Sequence, residues 1–88
     1  MNIEEANHLI LKPYITEKTF ALVEHDSRIC FLVRDEATKP KIIEAVKLLY
    51  KEDPIVINIC RTVYGKKAFV KFQTIEKARD LATKIGML

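Results

Sequence analysis

The segment between Arg28 and Arg34 is apolar at every position and has the sequence ICFLV. Successive side chains of a β-strand point to opposite faces, so this run predicts a strand that is buried on both faces. Such a strand lies in the interior of a sheet, and helices must then cover that sheet on both sides, at least in part. The chain has 88 residues, whereas single cores typically run to roughly 100 to 150 residues. We therefore expect one domain, residues 1–88.

Three further segments have the composition of strands. Residues 8–12 are largely apolar and are followed by Pro13, which favours an edge strand because proline donates no hydrogen bond to a ladder. Residues 55–60 are rich in isoleucine and valine, and residues 68–72 follow after a short connection that contains Gly65. These last two strands are predicted to form a hairpin with a loop of about four residues.

Three threonines precede segments with apolar residues at helical spacing, and each is predicted to cap a helix: Thr16, Thr38 and Thr74. The first helix is predicted from Glu17 to about Glu24, with Phe20 and Val23 three residues apart on one face. The last helix is predicted to end at Gly86, which suits a left-handed C-terminal cap. The order is therefore β-α-β-α-β-β-α, and it predicts an α+β fold with a four-stranded antiparallel sheet covered by helices.

Residues for catalysis or cofactor binding are scarce. His8 and His25 have no second ligand at a metal spacing, and two glycines are too few for a phosphate-binding loop. Cys30 and Cys60 lie in apolar stretches without a CxxC motif, so we predict buried, unpaired thiols, with a disulfide between adjacent strands as the alternative. We expect no enzyme, no metal and no cofactor.

The sequence also lacks the signals of a membrane or exported protein. No apolar run approaches the roughly 18 to 20 residues that cross a bilayer. The first residues carry acidic side chains where a secretory signal has lysine or arginine. We therefore expect a soluble cytoplasmic protein.

Positive charge is concentrated in the predicted hairpin. The chain has a formal net charge of only +3, but residues 61–74 contain four basic residues and no acidic one. Basic residues also lie at the first two predicted helix starts, over residues 12–18 and 38–41, where free N–H groups can receive a phosphate oxygen. These groups, together with Lys71, are suited to a phosphate backbone if they converge on one side of the fold, as we expect.

A more ordinary interpretation exists for each of these features. The threonines at the helix starts serve only as caps, and the lysines form a solvated surface. Tyr64 lies beside Gly65 at the hairpin tip, where it can stack on an unpaired base or simply be exposed.

Four blocks of this sequence, taken in order, resemble the family of large-subunit ribosomal protein twenty-three. They are KPYITEK at residues 12–18, ATK at residues 37–39 leading to AV at 45–46, IN at 57–58 and GKKAFVKF at 65–72. The resemblance runs from about Ile10 to Gly86. The short hairpin and the lack of a long basic N-terminal extension indicate the archaeal type.

The resemblance implies a structural component of the large ribosomal subunit that binds 23S-type rRNA at the rim of the polypeptide exit tunnel. It also implies contact with large-subunit ribosomal protein twenty-nine and a docking site for nascent-chain factors such as the signal recognition particle, at Glu17. Together with Tyr64, the positions expected to face the RNA are Lys12, Thr16, Lys18, Thr38, Lys39, Asn58, Arg61, Lys66 and Lys67.

Two other classes of protein compete with this interpretation. Residues 68–72 fit the end of the RNP1 pattern of an RNA recognition motif, but Lys66 and Lys67 occupy positions where that motif has glycine and an aromatic residue. We accordingly expect Phe69 to serve packing rather than base stacking. The third class is an adaptor that binds a partner strand at its sheet edge without RNA. Pro13 and the charged hairpin argue against such an edge.

Overall fold

The computed structural model describes residues 1–63 and 65–86. Within these residues the chain forms four helices and four strands. In chain order they are α1 (Ile3–Leu9), β1 (Ile10–Pro13), α2 (Glu17–Asp26), β2 (Arg28–Val33), α3 (Lys39–Tyr50), β3 (Val56–Thr62), β4 (Gly65–Lys71) and α4 (Ile75–Lys84). The predicted α+β fold and its element order are confirmed, with one helix added before the first strand.

The strands form an antiparallel sheet in the order β1-β2-β4-β3. The strand β2 lies in the interior, as its sequence predicts, and β1 takes the edge beside it. The strands β3 and β4 form the predicted hairpin, but Thr62 already pairs with Gly65, so the loop is shorter than predicted. Gly65 has a φ of 121°, which residues with a side chain rarely adopt, so glycine is needed where β4 begins.

Tyr50 of α3 stacks on Phe31 on one face of the sheet, where the core cluster of the strands lies. The strand residues in the buried cluster with the helices are Ile29, Phe31, Val33, Ile57, Ala68 and Val70. The opposite face, which we call the open face, includes Lys12, Arg28, Cys30, Leu32, Val56, Asn58, Cys60, Lys67, Phe69 and Lys71. Of the helices, α2 borders the open face, where Leu22 and Phe69 line one cleft. Cys30 is fully buried on this face, and the side chains of β2 and β4 beside it are at most partly exposed. The predicted cover of the sheet on both sides, at least in part, is therefore confirmed.

The sequence does not predict α1, because only two of its seven residues are buried and they define no helical period. Asn2 caps this helix, since its Oδ1 accepts a hydrogen bond from the Glu5 N–H at 2.8 Å. The helix continues to Leu9 and packs against α3. The strand predicted over residues 8–12 consequently begins later, at Ile10.

The helix α2 starts after Thr16 as predicted and continues to Asp26, beyond its predicted end. Val23 is fully buried, whereas Phe20 is 37% exposed, so the face that the sequence pattern gives them is not buried as a whole. Thr19 and Val23, four residues apart, form the buried stripe of α2, and Phe20 lies beside that stripe.

The helices α3 and α4 agree with the sequence more closely. They begin directly after Thr38 and Thr74. Residues of both helices at the predicted spacing are buried in the core: Ile42, Ala45, Val46, Ala78, Leu81 and Ala82. Gly86 follows α4 with a φ of 87°, the left-handed conformation that the sequence predicts there.

Both cysteines are unpaired, as predicted. They lie on β2 and β3, and β4 runs between these strands, which rules out the alternative of a disulfide between adjacent strands. Cys30 is buried, and its burial raises the pKa of the thiol to about 11. Cys60 is exposed, so its predicted burial is wrong. The strand β3 is an edge strand, and its open-face side chains meet solvent rather than a helix.

Candidate nucleic-acid interface

The open face carries basic side chains and, among the described residues, no carboxylate. The basic residues are Lys12, Arg28, Lys67 and Lys71. Phe69 lies partly exposed between them, and Asn58 lies opposite Phe69 on β3. Cations can contact phosphates. An aromatic ring can stack on a base, and an amide can form hydrogen bonds with the edge of that base. This combination is suited to RNA.

Arg28 and Lys71 face each other across β2 and β4. Like charges at directly opposite positions repel, and neither side chain forms an ion pair with another described residue. The Arg28 Nε is buried and has no hydrogen-bond acceptor within residues 1–63 and 65–86. A buried donor without an acceptor is costly, so an anion bound between these side chains would stabilise both.

A cleft of about 330 Å³ lies between the start of α2 and the open face. This α2 cleft is lined by Tyr14, Thr16, Lys18, Leu22, Lys67 and Phe69. The Lys67 Nζ lies 3.8 Å from the centroid of the Tyr14 ring, in a cation–π contact that places its charge at the cleft. The cleft therefore joins residues from the segment before α2, from α2 and from β4.

The helix starts at Thr16 and Thr38 differ in their caps. The Thr16 Oγ1 accepts a hydrogen bond from the Thr19 N–H at 3.1 Å, and the Thr19 Oγ1 accepts one from the Thr16 N–H at 2.7 Å. Thr16 therefore caps α2 as predicted. Thr38 stands at the N-cap position of α3, but its side chain makes no capping hydrogen bond, contrary to the prediction. The early Pro40 lies in the first turn of α3, where proline is tolerated.

This difference predicts unequal effects on stability. We expect Thr16→Ala to lower the free energy of unfolding by about 1 kcal/mol, because it removes a cap that holds the first turn. Thr38→Ala should cost no more than about 0.5 kcal/mol, since no capping bond is lost. Urea unfolding of the two purified variants measures both values, and equal losses would contradict this account of the caps.

The cations of the hairpin divide between the two faces of the sheet. Lys66 points to the side of the sheet that packs against α3, where its Nζ donates to the main-chain oxygens of Asp35 at 2.9 Å and Ala37 at 2.6 Å. Arg61 lies opposite Lys66 on β3, and its Nη1 is 3.4 Å from the Asp35 Oδ1. With the start of α3, these residues form a second basic group, which we call the α3 group. The expected convergence of all predicted contacts on one side is therefore not observed.

The predicted RNA contacts fall into these two places. The open face and the α2 cleft hold Lys12, Thr16, Lys18, Asn58 and Lys67. The α3 group holds Thr38, Lys39, Arg61 and Lys66. Tyr64 lies outside the described residues. Glu17 is exposed at the first position of α2.

Sequence reasoning missed Arg28 as a candidate contact and did not place Phe69 on the open face. Both residues lie on the open face, where Phe69 is partly exposed instead of contributing to the core cluster. The alternation of side chains in a strand contains the signal, because Arg28 shares a face with Cys30 and Phe69 shares one with Lys67. This alternation identifies Arg28 and Phe69 as candidate contacts only once it is known which face of the sheet holds the core cluster.

Neither a membrane-spanning helix nor a metal site is found in the part of the chain that the structure describes. No helix there is long and apolar enough to cross a membrane. No group of three or more His, Cys, Asp or Glu side chains there could hold a metal ion. His8 instead pairs with Glu36, at 3.3 Å between Nε2 and Oε1. A backbone hydrogen bond and, to a lesser extent, His8 lower the pKa of the Glu36 carboxyl.

A four-stranded α+β fold with a basic sheet face is an arrangement that small RNA-binding domains use. Comparison with known proteins gives the family. The family model described as "Ribosomal protein L23" matches residues 8–84. Large ribosomal subunit protein uL23 of Methanobrevibacter smithii is 39% identical over 80 residues, which cover 90% of this chain and 93% of that protein.

Two further relatives give the same assignment. The uL23 protein of Methanococcus vannielii is 34% identical over 84 residues, covering 94% of this chain and 98% of that protein. The uL23A protein of Schizosaccharomyces pombe is 38% identical over 81 residues, covering 91% of this chain but 57% of that longer protein.

The chain belongs to the ribosomal protein L23 family. It is a structural protein of the large ribosomal subunit and not an enzyme, and as such it is cytoplasmic. The two archaeal relatives match over nearly their whole length, in agreement with the archaeal type that the sequence indicates. The family also decides against the RNA recognition motif and the adaptor as alternatives.

Proposed function

We propose that residues 1–88 act as one domain that binds large-subunit, 23S-type rRNA at the rim of the polypeptide exit tunnel. Membership of the ribosomal protein L23 family supports this role. In this proposal the chain lies beside large-subunit ribosomal protein twenty-nine. It also helps to form a docking site for nascent-chain factors such as the signal recognition particle.

The observation that carries RNA binding is the charge of the open face. Its basic residues lie on the face opposite the core cluster of the strands, and no carboxylate among the described strand residues shares that face. The opposed pair of Arg28 and Lys71 and the position of Lys67 at the α2 cleft provide separate phosphate sites. Such contacts supply affinity through the release of counterions from the RNA.

The α3 group provides a second contact region in this proposal. The ion pair of Arg61 with Asp35 is exposed, and exposed pairs contribute at most about 1 kcal/mol, so a phosphate can replace Asp35 as the partner of Arg61. Lys39 is exposed at the first position of α3. We assign Lys66 a positioning role, because its bonds to the Asp35 and Ala37 oxygens hold this loop against the hairpin.

Sedimentation with large ribosomal subunits tests this function. If about five phosphates are neutralised, the association constant should fall roughly 10⁴-fold between 0.1 and 1 M salt. We therefore expect the protein to sediment with large subunits at low salt and to be released at high salt. A protein that stays in the supernatant at every salt concentration would contradict the proposed function.

Docking of nascent-chain factors is proposed at the exposed start of α2. Glu17 and Phe20 are three residues apart and so share a helix face. Ile15, directly before the cap, is 52% exposed, and Phe20 is 37% exposed. An acid beside exposed apolar side chains is suited to a protein partner with a basic and apolar surface.

A charge reversal at Glu17 tests this docking site. We expect Glu17→Lys to weaken the binding of signal recognition particle to ribosomes about tenfold while leaving incorporation into large subunits unchanged. Glu76→Lys is the matched control, because Glu76 is an exposed acid in the first turn of α4. Equal binding by both variant ribosomes, measured by equilibrium titration, would remove Glu17 from the proposal.

A further inference from the structure

The α2 cleft contains more than phosphate binding requires. A phosphate contact needs only a cation or an N–H donor, but this cleft also has Phe69 and Leu22 in its walls. Phe69 is partly exposed on the open face, whereas its neighbours Ala68 and Val70 are buried on the other side of β4. An aromatic ring that is kept beside two lysines is suited to an aromatic ligand that carries negative charge.

We infer that the α2 cleft binds one unstacked nucleotide of the RNA, with its base against Phe69 and its phosphate at Lys18 and Lys67. This inference rests on the proposed function and specifies which part of the RNA this site recognises. Phe69 supplies the stacking surface, because the Lys67 ammonium already lies over the Tyr14 ring. A base contributes to binding through its π-face whatever its identity, so stacking here tolerates any of the bases.

The size of the cleft selects a single nucleotide. Its volume of about 330 Å³ lies at the lower end of the roughly 300 to 1,000 Å³ of small-molecule pockets. A paired base inside a helix presents only its edge, and its faces are covered by its neighbours. Only a base that has left the stack can place its face on Phe69.

The charge of the cleft is complementary to such a ligand. Its lining contains Lys18 and Lys67 and no carboxylate among the described residues. Lys18 is exposed and forms no ion pair within residues 1–63 and 65–86, so its ammonium can bind a phosphate without losing a carboxylate partner. The Thr16 side chain is engaged in its cap and borders the site without contributing a charge.

Asn58 provides an amide that can form hydrogen bonds with the edge of the base. It is exposed and lies directly opposite Phe69 in the β3–β4 pairing. Side chains at such positions are roughly 4.5 to 5.5 Å apart at Cβ, so an amide there reaches the edge of a base that is stacked on Phe69. The amide both donates and accepts hydrogen bonds.

Two hairpin RNAs of the same stem sequence test this inference, one fully paired and one with a single unpaired nucleotide in the stem. We expect the full-length chain to bind the bulged hairpin about tenfold more tightly, the effect of one base–aromatic stack. Amide resonances of residues around the α2 cleft should shift with the bulged hairpin and not with the paired one. Fluorescence anisotropy measures the two affinities.

Phe69→Leu is the decisive variant, because leucine keeps the site apolar but removes the ring. We expect it to lower the affinity for the bulged hairpin about tenfold and to leave the affinity for the paired hairpin unchanged. Val56→Ala is the control, since Val56 lies on the open face but outside the α2 cleft lining. Unfolding in urea verifies that each variant is folded.

The possible results separate this inference from the proposed function. Salt-dependent sedimentation with large subunits, without any preference for the bulged hairpin, would overturn the inference and leave the proposed function in place. Equal loss of affinity for both hairpins in Phe69→Leu would also overturn it. No sedimentation with large subunits at any salt concentration would remove the proposed function itself.

Discussion

Replacing Phe31 with alanine is expected to lower the free energy of unfolding by about 4 kcal/mol. Phe31 is fully buried, and its ring stacks on Tyr50 with centroids 5.6 Å apart and planes 17° from parallel. Truncation removes this contact and leaves a cavity between β2 and α3. Because domains of this size are stable by only about 5 to 15 kcal/mol, the loss is a large share of the total. Urea unfolding followed by circular dichroism measures it.

The matched control is Phe20→Ala. Phe20 is 37% exposed on α2, so we expect its truncation to cost less than about 1 kcal/mol. The sequence predicts burial of Phe31 in an interior strand, and the structure buries Phe31 but leaves Phe20 partly exposed. Similar losses for the two variants would contradict the burial described for α2.

The second large effect concerns the open face. We expect the double variant Lys67→Ala with Lys71→Ala to bind large-subunit rRNA roughly a hundredfold more weakly at moderate salt, at about 1.5 kcal/mol for each lost charge-assisted contact. The slope of log K against log salt should fall by about 1.8, because two fewer phosphates are neutralised. Filter binding over a range of salt concentrations measures the affinity and the slope.

Lys77→Ala with Lys84→Ala is the control for net charge. Both lysines are exposed on α4, and neither belongs to the strands of the open face or to the lining of the α2 cleft. This variant changes the net charge by the same amount, so a general electrostatic effect would weaken binding equally in the two double variants. That outcome would contradict the assignment of the open face as the RNA contact.

The strong local patterns of the sequence predicted most of the fold. The ICFLV segment defined an interior strand, and the threonines before each helical pattern marked three helix starts. The helix α1 was missed because so short a helix with two buried residues has no measurable period. The spacing of Phe20 and Val23 gave α2 one apolar face, but its tertiary contacts select Thr19 and Val23 as the buried stripe.

The site was harder to predict than the fold. The alternation of side chains along a strand places Lys66 and Lys67 on opposite faces of the sheet. It does not say which of these faces is the open face. Arg28 was overlooked because its role depends on Lys71, which lies far along the chain and opposite it in the sheet. The α2 cleft joins segments before α2, within α2 and in β4, and only the folded chain brings them together.

The bonds of Lys66 to the main-chain oxygens of Asp35 and Ala37 also affect how the protein assembles with RNA. They connect the β3–β4 hairpin to the segment before α3 in the free protein. A segment that is already ordered loses little conformational entropy when it docks. Under the proposed function, this segment is therefore in place before the RNA arrives, and its docking costs little conformational entropy.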